Sequence, residues 1–186
     1  ENHGKQYAVI VNEFGEIGID NDLIVESDEE IYEMNNGCVC CTVRGDLVRV
    51  VEGLTRRKGR FDAIVSTDGD GDRPLVADAK GTILRGDVLG LLTSRALELT
   101  TIVTPVTSSS AVETSGIAGR VVRTKVGSPF VIAGMAEAAQ AGAEGIVGFE
   151  ANGGLLLGSA VTRDGRSLPA LPTRDRVLPI LATLAM

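Results

Sequence analysis

The sequence predicts an α/β protein whose mixed, mostly parallel sheet is flanked by helices. Short apolar runs with the composition of buried strands recur along the chain, at Tyr7–Val11, Ala63–Val65 and Ile146–Phe149. Segments whose apolar residues follow helical spacing lie between such runs, as at 46–58 and 129–141. Alternation of these two patterns is typical of a sheet covered by helices.

The first sixty residues contain two strand patterns and one helix pattern. Tyr7–Val11 and Glu30–Met34 have the composition of strands, and the glycine- and acid-rich segment between them predicts a loop. From Asp46 the apolar residues fall on one helical face, and Gly59 after a basic last turn predicts the end of that helix. The residues of this face are Leu47, Val50, Val51 and Leu54.

Composition excludes several classes of protein. The net charge of −7 argues against non-specific nucleic-acid binding, and 3% of aromatic residues leaves few stacking platforms. No run approaches the ~18 apolar residues of a membrane span. All three cysteines lie within Cys38–Cys41, which favours a reducing compartment, and we expect a cytoplasmic protein. The chain begins with Glu1 rather than Met, as a trimmed or excerpted chain would.

The loop Ser66–Pro74 is the most chemically suggestive stretch. Asp68, Asp70 and Asp72 alternate with glycines and place up to six carboxylate oxygens on one short turn, a donor set that suits Mg²⁺ or Ca²⁺. An EF-hand is excluded, because Arg73 stands where that motif needs Gly, and the Glu of its twelfth position is also missing. The alternative is an ordinary solvated Asp-Gly turn.

The cysteine cluster is a second candidate metal site. Cys38, Cys40 and Cys41 could supply three thiolates to Zn²⁺, Co²⁺ or Cu(I), with His3 or Glu33 as candidates for the fourth ligand. Three small buried hydrophobic residues beside a turn are the alternative.

The strings NEFGEIGID and NNGCVCCTVRGDL resemble the CobW-type metallochaperone GTPases over residues 1–61. The resemblance implies a fragment of a P-loop NTPase fold in which Cys38, Cys40 and Cys41 bind Zn²⁺ or Co²⁺. No G-x-x-x-x-G-K-[ST] phosphate loop occurs in the 186 residues, and STDGDGDRP replaces the family's acidic-Thr-Thr-Gly run. We therefore expect no GTP hydrolysis by this polypeptide.

The remaining two thirds alternate strand and helix patterns. A hairpin is predicted around Ala79–Gly81 and another around Arg163–Gly165, and a last helix is predicted after Thr173 or Asp175. That helix is expected to turn Val177, Leu178, Leu181 and Leu184 inward. Further helices are predicted from Asp87, within Ser109–Ile117 and over Pro129–Ala141, and further strands over Thr101–Val106, Val121–Thr124 and Ile146–Phe149.

The loop Glu150–Gly154 follows the last of those strands. Glu150 and Asn152 could hydrogen-bond adjacent sugar hydroxyls, while Gly153 and Gly154 let a ligand approach the backbone. An ordinary strand-end turn is the alternative. Phosphate could be met by Lys125, Arg120 or Arg123, or these could be solvated surface residues.

The motifs TDGDGDRP, RGD, TKVGSPFV, GFEANGG and PTRD resemble, in this order, the α-D-phosphohexomutases over residues 62–186. The resemblance implies that Asp68, Asp70 and Asp72 hold Mg²⁺ and that Arg73 borders the site. It also implies that Glu150 and Asn152 belong to the sugar-recognition loop, and that the substrate is mannose or glucose phosphate. Many members have histidine where Ser128 stands, which leaves proton transfer without its usual base.

The two resemblances divide the chain at residues 1–61 and 62–186 and predict a chimera. Its second part would be a partial isomerase with a core like the third domain of the phosphohexomutases. The family's phosphoserine loop and distal phosphate-binding loop are not found in these residues. We therefore expect no mutase turnover. A metallochaperone fragment and an inactive chimera are the alternatives, and no nucleic-acid or membrane partner is expected.

Overall fold

The computed structural model describes residues 4–11, 32–33, 51, 53–54, 56, 61–68 and 72–186. These form two compact units, one of residues 1–71 with 76–83 and one of residues 72–75 with 84–186. The three cysteines, Asp70 and His3 lie outside the described residues, as does most of the helix predicted from Asp46. Predictions for those residues stay predictions.

The first unit is built on a four-stranded sheet in the order β2-β1-β3-β4. Its strands are β1 (Tyr7–Val11), β2 (Tyr32–Glu33), β3 (Ala63–Thr67) and β4 (Pro74–Asp78), and the first two residues of β4 are assigned to the second unit. β1 pairs in parallel with both β2 and β3. Ser66 at the end of β3 donates its hydroxyl to the Ile10 carbonyl at 2.9 Å, which satisfies a buried polar side chain. The strand predicted over Tyr7–Val11 is confirmed.

The core of the first unit joins this sheet to helical residues. Val51 and Leu54 are helical and 3% exposed each, and they pack with Ile10, Ile64 and Ala77. The spacing of three between Val51 and Leu54 places both on one helical face, as the sequence predicts.

The predicted hairpin after β4 is also present. Ala77 forms an antiparallel bridge with Ile83, and the turn between them is closed by the Asp78 carboxylate, which accepts the N–H groups of Lys80 and Thr82 at 2.9 and 2.8 Å. These hydrogen bonds, that from Thr82 first, lower the pKa of Asp78. Gly81 has a φ of 81°, a conformation that favours glycine.

The second unit contains a five-stranded sheet in the order β11-β8-β7-β5-β6. Its members are β5 (Thr101–Pro105), β6 (Arg120–Thr124), β7 (Ile146–Phe149), β8 (Leu155–Leu157) and β11 (Leu171–Asp175). β5 pairs in parallel with β6 and β7, whereas β8 pairs antiparallel with β7 and β11. β9 (Val161–Arg163) and β10 (Arg166–Leu168) form the second predicted hairpin.

Four helices complete this unit: α1 (Gly86–Ala96), α2 (Ala111–Thr114), α3 (Ser128–Gln140) and α4 (Val177–Leu184). Alternate strand residues bury against opposite layers. Ile102 and Val147 share one cluster with Leu91 of α1, and Val103 shares the other with Val131 of α3. The predicted α/β class with a mixed sheet and flanking helices is confirmed. Among the described residues no helix is long and apolar enough to cross a membrane.

Gly90 lets α1 approach the sheet. A Cβ at this position would lie 2.4 Å from Cγ of Phe149, whose ring is fully buried. The glycine inside this predicted helix therefore makes room for the aromatic ring of β7.

The inward face predicted for α4 is partly wrong. Val177 and Leu181 are 50% and 59% exposed, whereas Pro179 and Ala182 are buried. α4 is apolar around nearly its whole circumference, so periodicity does not select a face, and packing against α1 decides it. The helix was predicted to open at Thr173 or Asp175, and it begins at Val177. Of the two predicted residues, Asp175 contacts the first turn, because its carboxylate accepts the Val177 N–H at 2.7 Å.

Candidate functional site at the carboxyl edge of the second sheet

Three parallel strands end at one edge of the second unit's sheet. β5, β6 and β7 run in the same direction, and the loops after them are residues 106–110, 125–127 and 150–154. Ligands of open α/β sheets bind outside the carboxyl ends of the strands. This edge is therefore the candidate functional site.

The loop after β7 is closed by its own hydrogen bonds. The Glu150 N–H donates to the Gly154 carbonyl, and the Gly153 N–H donates to the Glu150 carbonyl, each at 3.0 Å. The Asn152 side-chain oxygen accepts the Gly154 N–H at 3.0 Å, and Gly153 has a φ of 100°. The amide NH₂ of Asn152 is not used in that turn, so this group can serve as a donor to a ligand.

Glu150 is a buried carboxylate, only 6% exposed, at the first position of this loop. The Ser128 hydroxyl donates to its Oε2 at 2.9 Å. Ser128 is the first residue of α3, where Gly127, with a φ of 122°, turns the chain and Pro129 suits the first helical turn. The hydrogen bond from Ser128 therefore places the Glu150 side chain at the amino end of α3.

A buried hydroxyl pair anchors the end of β7. Thr104 of β5 donates its hydroxyl to the Phe149 carbonyl at 2.7 Å, and its oxygen lies 2.7 Å from the Ser108 hydroxyl. A carbonyl can only accept a hydrogen bond, so the Thr104 hydroxyl is the donor to Phe149. The Ser108 hydroxyl is then the donor to the Thr104 oxygen. These two hydroxyl residues were not singled out from the sequence. They hold the end of β7 and so help to place Glu150, the next residue.

Asp87 holds the loop after β5 rather than capping the helix from outside. α1 already begins at Gly86, and the fully buried Asp87 carboxylate accepts the Ser109 N–H at 2.8 Å and a two-pronged ion pair from Arg85 at 2.8 and 3.1 Å. Burial raises the pKa of Asp87, but the hydrogen bonds from Arg85 and Ser109 outweigh it and lower that pKa. The carboxylate is thus held ionised as a structural anchor.

Gly86 brings α1 into direct contact with the loop after β7. A Cβ at Gly86 would lie 2.0 Å from the backbone nitrogen of Gly153. A Cβ at Gly153 would lie 3.3 Å from Cδ of Pro74. The loop is therefore packed between the start of α1 and Pro74 of the same unit.

Arg123 is a structural residue and not a free cation. It forms a two-pronged ion pair with Glu113 at 2.7 and 2.8 Å and donates to the carbonyls of Pro105, Ser108 and Ser109 at 2.9 to 3.1 Å. The ion pair lowers the pKa of Glu113. These bonds engage all three guanidinium nitrogens, which argues against the interpretation of Arg123 as a phosphate ligand.

Asp72 is held by two arginines. Its Oδ1 lies 3.2 Å from Nε of Arg73 and its Oδ2 lies 2.6 Å from Nη2 of Arg174. The Arg174 stem also covers the loop after β7, since a Cβ at Gly154 would lie 2.8 Å from Cδ of Arg174. Arg174, which sequence reasoning did not assign, connects Asp72 with that loop.

The predicted metal ligands are divided by what the structure describes. Asp68 directly follows β3 in the first unit and Asp72 opens the second, while Asp70, Cys38, Cys40 and Cys41 are outside the described residues. Within the described part no group of three or more His, Cys, Asp or Glu gathers. Mg²⁺ prefers carboxylate oxygens, so each of these aspartates, taken by itself, is a residue type that suits this ion. An ion on Asp72 would share the carboxylate with Arg174.

Of the predicted substrate residues, Glu150, Asn152 and Gly153 are brought together by the loop's turn. Arg73 sits beside Asp72. Lys125 lies on the loop after β6, with its ammonium 5.7 Å from the ring centroid of Phe130.

Comparison with known families identifies the second part of the chain. Residues 85–185 match the phosphoglucomutase/phosphomannomutase α/β/α domain III. The chain belongs to this phosphohexomutase family. A phosphomannomutase of Sinorhizobium fredii is 60% identical over 127 residues, which cover 68% of this chain and 26% of that protein. A phosphomannomutase of Salmonella muenchen is 52% identical over 128 residues, 69% of this chain and 27% of that protein.

Solved phosphohexomutases share the fold. A phosphoglucomutase/phosphomannomutase family protein of Burkholderia thailandensis superposes with a TM-score of 0.58 at 19% identity, over 96% of this chain and 39% of that one. Parafusin, a phosphoglucomutase of Paramecium, gives 0.51 at 17% identity, over 78% of this chain and 24% of that one.

The first part of the chain matches another family. Residues 1–69 match the CobW/HypB/UreG nucleotide-binding domain. A zinc chaperone CobW of Pseudomonas aeruginosa is 42% identical over 76 residues, 36% of this chain and 20% of that protein. Both predicted resemblances are confirmed. The chain spans about a quarter of the length of the phosphomannomutases that it matches.

Proposed function

We propose that residues 62–186 carry the metal loop and the sugar-binding part of a Mg²⁺-dependent hexose-phosphate mutase. The ligand would be mannose or glucose phosphate. The 186 residues would bind it without completing a catalytic cycle, since the phosphoserine and distal phosphate-binding patterns are not found among them.

The observation that carries this proposal is the buried Glu150 carboxylate at the carboxyl edge of the sheet. It is 6% exposed and receives one hydrogen bond from Ser128, in a segment that is 60% identical to a phosphomannomutase. A desolvated carboxylate next to an amide donor, here Asn152, suits a pair of neighbouring sugar hydroxyls. Hydroxyl orientation would then decide which hexose binds.

Phosphate would be met by cations of the same unit. The candidates are Lys125 and Arg73, which also pairs with Asp72. Arg123 is not a candidate, because it bonds Glu113 and three carbonyls. Asp68, Asp70 and Asp72 would hold Mg²⁺, which when bound would neutralise phosphoryl oxygens. Ser128 donates a hydrogen bond to Glu150, and a neutral hydroxyl is too weak a base to accept a proton from the substrate at neutral pH without help.

Calorimetric titration of the 186-residue chain with mannose 1-phosphate and Mg²⁺ tests the proposal. We expect saturable binding, loss of at least tenfold in affinity on Glu150→Gln because a charged acceptor is removed, and no change on Glu137→Gln, an exposed residue of α3. Absence of saturable binding by the unmodified chain would refute it.

A second proposal concerns the first part of the chain. Cys38, Cys40 and Cys41 would bind Zn²⁺ or Co²⁺, and the match of residues 1–69 to the CobW/HypB/UreG domain supports it. Addition of Co²⁺ to the reduced chain should produce a thiolate charge-transfer absorption that Cys40→Ser weakens. If neither the sugar phosphate nor the metal binds, the chain is an α/β chimera without either activity.

A further inference from the structure

The Ser128–Glu150 contact joins two elements that are far apart in sequence. Ser128 begins α3 and Glu150 follows β7, 22 residues later, yet their side chains meet at 2.9 Å. Glu150 is buried, so the direction of its carboxylate is set by the contacts around it and not by water.

The hydrogen bond uses only one of the two carboxylate oxygens. Ser128 donates to Oε2, while the backbone N–H and carbonyl of Glu150 are engaged within its own loop. A carboxylate accepts at both oxygens, so Oε1 keeps its capacity for a second donor. The bond at Oε2 restricts the orientations of the carboxylate, and so it also restricts where Oε1 lies.

Resting on the proposed function, we propose that Ser128 is a positioning residue that determines hexose selectivity. Its hydroxyl locks the Glu150 carboxylate so that Oε1 faces one sugar hydroxyl in one orientation. Ser128 does not contact the phosphate and does not transfer a proton to or from the substrate. Its effect passes through Glu150.

This proposal predicts different hexose selectivity for two substitutions at Ser128, whereas a role in packing alone would not predict that difference. Ser128→Thr keeps the hydroxyl and adds a methyl group, whereas Ser128→Ala removes only the hydroxyl. If the hydroxyl positions Glu150, the threonine variant retains selectivity and the alanine variant loses it. The carboxylate would then be free to adopt more than one rotamer.

The experiment is calorimetric titration of the chain and its variants with mannose 1-phosphate, glucose 1-phosphate and inorganic phosphate. We expect Ser128→Ala to lower the affinity for the preferred sugar phosphate by about tenfold, in the range of a hydrogen bond to a charged group. In Ser128→Ala, the ratio of the affinities for the two sugar phosphates should fall towards one, and the affinity for inorganic phosphate should not change. Ser128→Thr and the exposed control Ser167→Ala should behave as the unmodified chain.

A double-mutant cycle supplies the decisive readout. In a Glu150→Gln background, Ser128→Ala should lower the affinity for the sugar phosphate much less than it does in the unmodified chain, because the carboxylate that Ser128 positions is already altered. Equal costs in both backgrounds, or an unchanged selectivity ratio in Ser128→Ala, would overturn the role of Ser128 while leaving hexose-phosphate binding intact. Failure of the unmodified chain to bind either sugar phosphate would overturn the proposed function, and the role of Ser128 with it.

Discussion

Arg174 and Asp72 form an ion pair of 2.6 Å that connects the end of β11 with Asp72 of the loop Ser66–Pro74, the aspartate loop. The stem of Arg174 also lies against the position of Gly154, in the loop that follows β7. One side chain therefore contacts two of the stretches that the sequence marks as chemically important.

If Mg²⁺ binds the aspartate loop, Arg174 competes with it for Asp72. Arg174→Met removes the competing cation and keeps most of the apolar stem, so we expect Mg²⁺ affinity to rise about two- to fivefold, the scale of a partly exposed ion pair. Calorimetric Mg²⁺ titration measures this, with Arg163→Met on the exposed hairpin as control. Weaker Mg²⁺ binding in Arg174→Met would show that the ion pair supports the site instead.

Gly86→Ala should destabilise the second unit. The new Cβ would overlap the backbone nitrogen of Gly153, and backbone cannot move aside as the tip of a side chain can. We expect the free energy of unfolding, measured with urea, to fall by about 1–3 kcal/mol. Gly119→Ala is the matched control, because its nearest neighbour atom lies at 3.7 Å and its substitution should be close to neutral.

Thr104→Val should loosen the attachment of β7 to β5. The substitution conserves shape but leaves the Phe149 carbonyl and the Ser108 hydroxyl without their buried partner. We expect a loss of about 1–3 kcal/mol in the free energy of unfolding. Thr162→Val on the exposed hairpin should cost little. Equal stability of the two variants would contradict the anchoring role.

The lowered pKa of Asp87 makes part of the stability depend on pH. Its folded-state pKa is below the unfolded value of about 3.9, so its contribution is complete above that value and lost as pH falls through the folded-state pKa. Asp87→Asn should remove this part of the acid dependence in urea unfolding followed from pH 7 downward. Asp164→Asn, in an exposed turn, should leave the profile unchanged. A profile for Asp87→Asn that matches the unmodified chain would contradict the assignment.

Several strand positions were predictable because their residues carry the information locally, whereas β8 (Leu155–Leu157) and β11 (Leu171–Asp175) were not predicted. Tyr7–Val11 and Ile146–Phe149 are apolar runs with β-branched members, and they form strands within the predicted bounds. The helix over Ser128–Gln140 was marked by Pro129 at its start and Gly142 after its end.

The inward face of α4 was not predictable, because its apolar residues surround the helix and only contact with α1 selects the buried ones. The structural role of Arg123 was not predictable either. A basic residue on a strand has the same sequence pattern whether it binds phosphate or donates to carbonyls. Its five partners come from Pro105, Ser108, Ser109 and Glu113, which only the fold gathers around it.

The sequence by itself determined the α/β class, both family resemblances and the residue types of the aspartate loop, because motif spacing and apolar periodicity are properties of the linear chain. The tertiary structure alone decided which groups meet. Arg174 reaches Asp72, and Ser128 reaches Glu150, through strand order and through close approach at glycines. Such contacts depend on distances between segments that lie far apart in sequence, and no local pattern records those distances.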